Sequence, residues 1–314
     1  MEVYELNYYP KFKCTAEKCK HTCCAGWVIN IDKESLSAYK REKSNFYCKL
    51  KKGINFNKSR FKTNKSGKCV FLNDKGLCEL IINLGEKSLC QVCRDHPRFK
   101  NYLSSRIETG LDFCCEEATH IILNFKDKIS LIKVSGDEKA KEPNFIEKSI
   151  LEFREKILEV LQDRNSLIGK RIESVLQLCK ADISEQKFKK MVKAFLSLDV
   201  LDKKWQTSLK TIKKLDKKAN AEECLSLYIE QFLVNEVYRH VAYSEDTIWA
   251  RVKVAFIICA WEIIYNIYSV EKKDDTICEN VLFDVIRRFS LEIEYSKDNL
   301  EKIFEKTKKI LYKN

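Results

Sequence analysis

The sequence contains few residues that interrupt regular structure, with only eight glycines and three prolines in 314 residues. A turn-rich β-sandwich or β-barrel needs many such residues, so this composition argues against both architectures. Leucine, lysine and glutamate are abundant instead, and all three favour helices. Because 45% of the residues are hydrophobic, the chain can also build a substantial core. We therefore predict a mainly α fold.

The sequence also predicts neither a signal peptide nor a membrane span. Its first residues, MEVYELNYYPKFK, have neither a basic start nor the apolar segment that directs secretion. The most apolar stretch, Val254 to Val270, is interrupted by Glu262 and Asn266, and it falls short of the roughly 20 apolar residues that cross a bilayer. We expect a cytoplasmic protein with no membrane partner, and a core helix at Val254 to Val270.

Two common cofactor motifs are absent. No G-x-G-x-x-G follows a predicted strand, so the sequence does not predict a dinucleotide-binding fold. The C-x-x-x-C-x-x-C triplet of radical enzymes is also missing, because Cys19 and Cys23 have the first spacing but Gly26 occupies the third position.

The formal net charge of +12 does not identify a partner by itself, because 33% of the residues are charged and many lysines fall on polar helix faces. Residues 49–68 are basic and contain Phe56 and Phe61, a composition that nucleic-acid binders share. No nucleic-acid-binding motif accompanies them. We therefore predict a solvated loop or a pair of weak strands here, and we expect no nucleic-acid partner.

Cysteine is the residue with the most unusual distribution. Eleven of the fifteen cysteines precede residue 116, and four of these lie within eleven residues: Cys14, Cys19, Cys23 and Cys24. A second group follows: Cys69, Cys78, Cys90, Cys93, Cys114 and Cys115. In a reducing cytoplasm, clustered thiols indicate metal binding or redox chemistry rather than a disulfide framework. The four cysteines after residue 116 are isolated in helical patterns, where cysteine is usually a small buried hydrophobe.

Four thiolates can hold either a structural zinc ion or a four-iron, four-sulfur cluster, and the spacing leaves both open. Cys90 and Cys93 form a C-x-x-C pair that can reach one metal, and a turn over residues 73–76 brings Cys69 close to Cys78. Adjacent cysteines do not easily face one metal. We therefore expect one of the pair Cys23–Cys24 to face a second site or the core.

The predicted secondary structure divides the chain at about residue 135. Residues 1–135 are predicted to form a cysteine-rich metal-cluster domain with short irregular strands, in which Asp32 caps one helix and Glu79 to Leu84 form another. Residues 136–314 are predicted to form an all-helical domain. Apolar residues recur there at helical spacing in eight segments, at about 145–163, 167–180, 184–199, 201–215, 225–237, 248–263, 276–290 and 297–312. We interpret these stripes as core and assign them no chemistry.

The ordered cysteine blocks resemble the flagellin lysine-N-methylase family over about the first 125 residues. The first block runs from Cys14 through the Cys23–Cys24 pair to Gly26 and Trp27, and later blocks are CVFLNDKGLC, INLGEKSLCQVCRDHPR and CCEEA. The resemblance implies a set of eight metal ligands: Cys14, Cys19, Cys23, Cys24, Cys69, Cys78, Cys93 and Cys115. The chain departs from the family pattern at four positions: Cys90 stands where serine is usual, Cys114 is additional, Glu116 replaces a proline and His96 replaces a tyrosine.

This resemblance implies a protein-lysine N-methyltransferase that carries an iron-sulfur cluster, expected to be 4Fe-4S. Its methyl donor would be S-adenosylmethionine and its acceptors the surface lysines of flagellin or another protein substrate. Zinc stays open as the alternative metal. Two further interpretations also stay open: a non-enzymatic iron- or zinc-binding module with a helical partner-binding domain, and a redox protein that uses Cys90 and Cys93. The sequence identifies no catalytic residue, although Trp27 is a candidate to contact the sulfonium by cation-π attraction.

Overall fold

The computed structural model describes residues 1–26, 28–136, 142–212, 222–272 and 277–312, and the chain divides into two compact units. The smaller one, which we call the cysteine unit, is Lys13–Arg98. The larger one, which we call the helical unit, combines Met1–Phe12 with Phe99–Asn314. Trp27, the candidate sulfonium contact, and part of the predicted helix at 201–215 lie outside the described residues.

Helices account for most of the described structure, as the composition predicts. The cysteine unit contains α1 Lys33–Arg41, α2 Tyr47–Gly53, α3 Glu79–Leu84 and α4 Gln91–Asp95. The helical unit contains α5 Glu116–Leu123, α6 Phe145–Leu161, α7 Ile168–Cys179, α8 Glu185–Leu196, α9 Lys203–Leu209, α10 Ser226–His240, α11 Thr247–Glu271, α12 Glu279–Phe289 and α13 Lys297–Leu311. The strands are β1 Glu2–Leu6, β2 Ile54–Asn55, β3 Arg60–Phe61, β4 Arg98–Tyr102, β5 Arg106–Leu111 and β6 Leu131–Ser135. The predicted mainly α fold is confirmed.

The chain passes from one unit to the other after Phe12 and again after Arg98, whereas the sequence predicts a single domain boundary near residue 135. Four strands form a sheet in the order β4-β5-β1-β6, in which β1 pairs parallel to β5 and antiparallel to β6. Since β1 precedes the cysteine unit and β5 follows it, the chain leaves the helical unit after its first twelve residues and returns at Phe99. The helical unit therefore includes a sheet, whereas the sequence predicts a second domain made only of helices.

The core of the helical unit is built around α11. This helix has 25 residues and packs against α6, α7, α10, α12 and α13. Its middle turns are buried on all sides, and Phe256 and Trp261 are completely inaccessible to solvent. This confirms the core helix predicted at Val254 to Val270. No helix in the described ranges is both long enough and apolar enough to cross a membrane.

The cysteine unit has a smaller core of its own. Its aromatic centre is formed by Phe61 and Phe71, whose rings pack edge to face with centroids 5.2 Å apart, and Leu50 is buried beside them. The strands β2 and β3 pair in this unit, which confirms the weak strands predicted within residues 49–68, although α2 occupies the first of those residues. A small core of this kind supplies limited stability, and such units often add metal ligation or other crosslinks.

Candidate functional site

The cysteine unit brings five thiols into one neighbourhood, and its backbone fixes where three of them lie. The amide of Cys69 donates a hydrogen bond to the carbonyl of Cys24 over 2.7 Å, which ties these two segments together. Leu72 and Cys78 form a β-bridge across the predicted turn, so Cys78 returns towards Cys69. These contacts confirm that the turn brings the two halves of CVFLNDKGLC together.

Cys90 and Cys93 complete this group, which we call the thiol cluster: Cys24, Cys69, Cys78, Cys90 and Cys93. Cys90 immediately precedes α4 and Cys93 lies within it, so one helical turn brings their sulfurs together. The Cys93 thiol donates a hydrogen bond to Cys90, which lowers the pKa of Cys90 and raises that of Cys93. Cys69 and Cys90 are buried in the core of the unit, and the other three are partly buried against it.

The thiols of the cluster act on one another electrostatically. Burial is the main cause that raises the pKa of Cys69 to about 12, and the charges of Cys24, Cys78 and Cys90 act in the same direction. The hydrogen bond from Cys23 is the main cause that lowers the pKa of Cys24 to about 7, against the effect of burial. Several adjacent thiolates repel one another unless a cation lies between them, and coordination to a metal ion deprotonates thiols outright. The donor set therefore suits a thiolate-bound metal centre.

The structure gathers half of the eight predicted ligands in the thiol cluster: Cys24, Cys69, Cys78 and Cys93. Cys14 is exposed, and its sulfur accepts a hydrogen bond from the amide of Ala16 over 3.4 Å. Cys19 lines a polar surface cleft of about 570 Å³ in the same unit. Cys23 is exposed beside Cys24.

Cys115 differs from the other seven predicted ligands because it belongs to the helical unit, where it immediately precedes α5. By contrast, Cys90 is not among the metal ligands that the resemblance implies, but it lies in the thiol cluster. Its C-x-x-C spacing to Cys93 is the sequence signal that indicates this. The assignment of the eight cysteines as ligands stays a prediction.

A second group of side chains, all charged or titratable, lies inside the helical unit and was not predicted from the sequence. We call it the buried charge cluster: Asp112, Glu236, Arg239, His240 and Glu294. Three of its members come from the last two turns of α10, Asp112 follows β5, and Glu294 ends a π-helical turn, Ser290–Glu294. π-Helical turns are rare in proteins, and many of those that do occur lie at functional sites.

Glu294 is the hub of the buried charge cluster. Its Oε2 lies 2.6 Å from Nη1 of Arg239, and its Oε1 lies 2.7 Å from Nε2 of His240. Nε2 of His240 is also 3.2 Å from Oε2 of Glu236, while Nε of Arg239 lies 3.1 Å from Oδ1 of Asp112. Glu236, Glu294 and Asp112 are each less than a tenth exposed. One imidazole and two carboxylates therefore converge in the interior, with a guanidinium beside them.

Burial determines how these groups titrate. It raises the pKa of Asp112 to about 7, although the charge of Arg239 acts in the opposite direction. Burial is the main cause that raises the pKa of Glu236 well above its ordinary value, and the charge of Glu294 is the second. For Glu294 burial has the same effect, but Arg239 and the hydrogen bonds from Glu236 and His240 outweigh it and lower the pKa. Without a bound cation, Glu236 and Glu294 thus share one proton.

A sequence signal for the buried charge cluster does exist. Glu236 and His240 are four residues apart, which places both on one face of a helix, and they occur within an otherwise apolar helical stripe. Glu294 follows 54 residues after His240, beyond α11 and α12, so only the tertiary structure brings it to them.

Comparison with known proteins places the chain in a family. Residues 111–313 match the family model described as the FliB lysine N-methylase C-terminal domain, and this region contains the whole buried charge cluster. A lysine-N-methylase of Salmonella typhimurium is 28% identical over 137 residues, which cover 41% of this chain and 34% of that protein. The lysine-N-methylase of Salmonella choleraesuis matches to the same extent.

A shorter relative, the flagellar biosynthetic protein FliU of Salmonella muenchen, is 28% identical over 140 residues, which cover 41% of this chain and 81% of FliU. The matched region spans only about a third of the length of the two lysine-N-methylases. No solved structure matches the chain. Because the family model spans well over half of its residues, the chain belongs to the FliB lysine N-methylase family.

Proposed function

We propose that this protein is a protein-lysine N-methyltransferase that moves a methyl group from S-adenosylmethionine to surface lysines of flagellin. The observation that carries this proposal is the family match over residues 111–313, which covers nearly all of the helical unit that follows the cysteine unit. The names of the relatives support the reaction, and the name of the FliU relative supports a flagellar substrate.

The reaction is a displacement at the methyl carbon of a sulfonium ion. The lysine amine must first lose a proton, because the ammonium form has no electron pair to attack with. Its nitrogen then forms a bond to the methyl carbon while the carbon–sulfur bond breaks, so the sulfonium leaves as a neutral thioether and the methylated amine carries the positive charge. The protein must hold the amine in line with the departing sulfur and exclude competing water.

The cysteine unit would supply the metal centre of this enzyme. Cys24, Cys69, Cys78 and Cys93 would hold an iron-sulfur cluster, since four thiolates are the usual ligands of a 4Fe-4S centre, and Cys90 lies within the same group.

A cluster held by all four thiolates would be structural. A cluster held by three of them would have one open iron, which would supply a site for the amino and carboxylate groups of S-adenosylmethionine. The cysteine ligands would hold the cluster, and the small apolar core around Phe61 and Phe71 would keep it out of bulk water. The polar cleft that Cys19 lines has a volume of about 570 Å³, within the usual range for small-molecule sites.

A zinc-binding module without enzymatic activity is the second candidate. The observation that favours it is the hydrogen-bonded pair Cys90 and Cys93, because C-x-x-C is a common spacing of zinc ligands.

The deciding experiment is an anaerobic purification of the full chain, followed by an absorption spectrum and by analysis of iron, sulfide and zinc. We expect a broad band in the visible spectrum and about four irons per chain, the composition of a 4Fe-4S cluster. The loaded protein is then mixed with flagellin and S-adenosylmethionine carrying a labelled methyl group, and methylated lysines are located by mass spectrometry. We expect label on flagellin surface lysines.

Two results would contradict the proposal. Colourless protein with stoichiometric zinc would remove the iron-sulfur centre and favour the zinc module. Iron-loaded protein that leaves flagellin unlabelled while it binds S-adenosylmethionine would exclude flagellin as the acceptor. An unrelated lysine-rich protein serves as the control acceptor, and label on it to the same extent would show that the enzyme does not select flagellin.

A further inference from the structure

We propose that Glu236, His240 and Glu294 form a binding site for one divalent transition-metal ion in the helical unit, separate from the thiol cluster. Within the described part of the chain, this is the one set of three histidine, cysteine or carboxylate side chains whose ligand atoms all lie within 4.8 Å of one another. All three residues are buried.

The geometry is close to that of ligands around one ion. Nε2 of His240 lies 2.7 Å from Oε1 of Glu294 and 3.2 Å from Oε2 of Glu236. With metal–ligand distances of about 2.1 Å and bond angles between a right angle and the tetrahedral angle, neighbouring ligand atoms lie about 3.0 to 3.4 Å apart. Small shifts of these side chains would therefore admit an ion, and three protein ligands would leave coordination positions for water.

The second observation is that the buried carboxylate of Glu236 receives no hydrogen bond. This residue is 1% exposed, yet neither of its carboxylate oxygens accepts a hydrogen bond. Nε2 of His240 carries at most one proton, and the shorter contact directs that proton to Glu294. A buried carboxylate without a donor is costly, so Glu236 needs either a proton of its own or a cation.

The surroundings resemble the outer shell of a metal site. Arg239 holds the other oxygen of Glu294 and also contacts Asp112, so the orientation of Glu294 is fixed from outside the proposed ligand set. The charge of Lys253 acts on His240, and the ammonium group of Lys253 donates a hydrogen bond to the carbonyl of Tyr243.

The chemistry of the ligands defines the class of ion. One imidazole and two carboxylates are nitrogen and oxygen ligands, which suit Mn²⁺, Fe²⁺ or Zn²⁺, whereas the thiol cluster prefers softer or thiophilic ions. Mn²⁺ is therefore the most selective probe, because thiolates compete for it poorly. Its binding is independent of methyl transfer, so the site can be tested whether or not the proposed function holds.

The test is a titration of the full chain with Mn²⁺ after treatment with a chelator, in which free Mn²⁺ is measured by electron paramagnetic resonance. We expect one bound Mn²⁺ per chain in the wild type. Glu236→Gln and His240→Gln should each weaken binding by more than the roughly 10- to 100-fold that loss of an outer-shell partner costs. Glu292→Gln is the matched control, because Glu292 lies in the same π-helical turn but accepts hydrogen bonds from the amides of Leu201 and Asp202.

A thermal unfolding series guards against variants that fail to fold. In chelator, Glu236→Gln should unfold at the same temperature as the wild type or higher, because a neutral amide can replace the protonated carboxyl that donates to Glu294. In excess Mn²⁺ the order should reverse, since only the wild type gains stability from the ion. If the wild type binds no Mn²⁺, or if both ligand variants bind it as tightly as the wild type, Glu236 and Glu294 share only a proton and the metal site is wrong.

Discussion

Arg154 and Glu108 form a two-pronged salt bridge in the interior of the helical unit. Nη1 of Arg154 lies 2.6 Å from Oε2 of Glu108, and Nη2 lies 2.8 Å from Oε1. The side chains of Arg154 and Glu108 are 0% and 2% exposed. The pair joins α6 to β5, the strand that pairs in parallel with β1. An ion pair so deeply buried is stable only while both partners are present.

Replacement of Arg154 by methionine should therefore strongly destabilise the protein. The change leaves the Glu108 carboxylate buried with only Arg106 as its cation, and we expect a loss of about 3 kcal/mol in the free energy of unfolding. Denaturant unfolding measures it. The double variant Arg154→Met with Glu108→Leu should recover much of the loss, whereas Glu155→Gln, at a half-exposed neighbour, should change stability by less than about 0.5 kcal/mol. Equal losses in the single and double variants would contradict this account.

Asp32 should make the stability of the cysteine unit depend on pH. Its Oδ1 accepts the amide of Ser35 and its Oδ2 accepts the amide of Gln91, each over 2.8 Å, so one side chain caps α1 and holds the start of α4 beside the thiol cluster. Burial opposes ionisation, but the amides of Gln91 and Ser35 outweigh it and lower the pKa of Asp32 from 3.8 to about 2.

The pKa of Asp32 is lower in the folded protein than its ordinary value of 3.8. The stability that its ionised carboxylate contributes is therefore present above pH 3.8 and is lost as the pH falls through about 2. Asp32→Ala should cost about 1 to 2 kcal/mol at pH 7. Asp32→Asn keeps the oxygen that caps α1 and should cost less. The measurement is the unfolding free energy of wild type and variants between pH 7 and pH 2, and a difference that stays constant over this range would exclude the ionised carboxylate as its source.

Tyr8 should be essential for attachment of the first twelve residues to the helical unit. Its buried hydroxyl donates to Oδ1 of Asn235 and accepts the amide of Leu111 over 3.3 Å. Tyr8→Phe leaves both partners unsatisfied in the interior, and we expect a loss of about 1 to 3 kcal/mol. Tyr102→Phe, at a side chain that is largely exposed, is the matched control and should change stability by less than about 0.5 kcal/mol. A loss no larger than that of the control would show that the hydroxyl is dispensable.

Cysteine variants should separate the thiol cluster from the other thiols. Cys69→Ser, Cys78→Ser and Cys93→Ser should each lower the metal content of anaerobically purified protein, because a hydroxyl is a weak ligand for the metals that thiolates prefer. Cys48→Ser and Cys224→Ser, at exposed cysteines outside the cluster, should retain the wild-type content. Iron, sulfide and zinc per chain are the measurements. Retention of metal by Cys93→Ser, or its loss from Cys224→Ser, would show that the centre lies elsewhere.

The local features of this fold were predictable because the signals for them are local. Asp32 caps α1 as predicted, and α3 ends at Gly85, where a φ of 80° favours glycine. Glu116 and Glu117 occupy the first turn of α5, where the helix dipole favours acids. The apolar stripes likewise gave the helices of the second half, with ends that differ by a few residues.

Contacts between distant residues were not predictable in this way. The pairing of Glu2 with Arg106 leaves no periodic trace in either segment, which is why the sequence placed the domain boundary near residue 135. The buried charge cluster depends in the same way on the approach of α10 to a π-helical turn 54 residues later. The family prediction is confirmed, although its motifs lie in about the first 125 residues whereas the family model matches residues 111–313.

The insertion of the cysteine unit between β1 and β5 has a consequence for biosynthesis. β1 is synthesised before its parallel partner β5, which follows about a hundred residues later, after the whole of Lys13–Arg98 has been made. Domains fold as units while the chain is still growing, so the cysteine unit can fold before the sheet of the helical unit closes. Closure of that sheet then joins the two ends of the insertion, and a nascent chain whose cysteine unit has not folded carries an unfinished insert at the moment when β1 needs its partner.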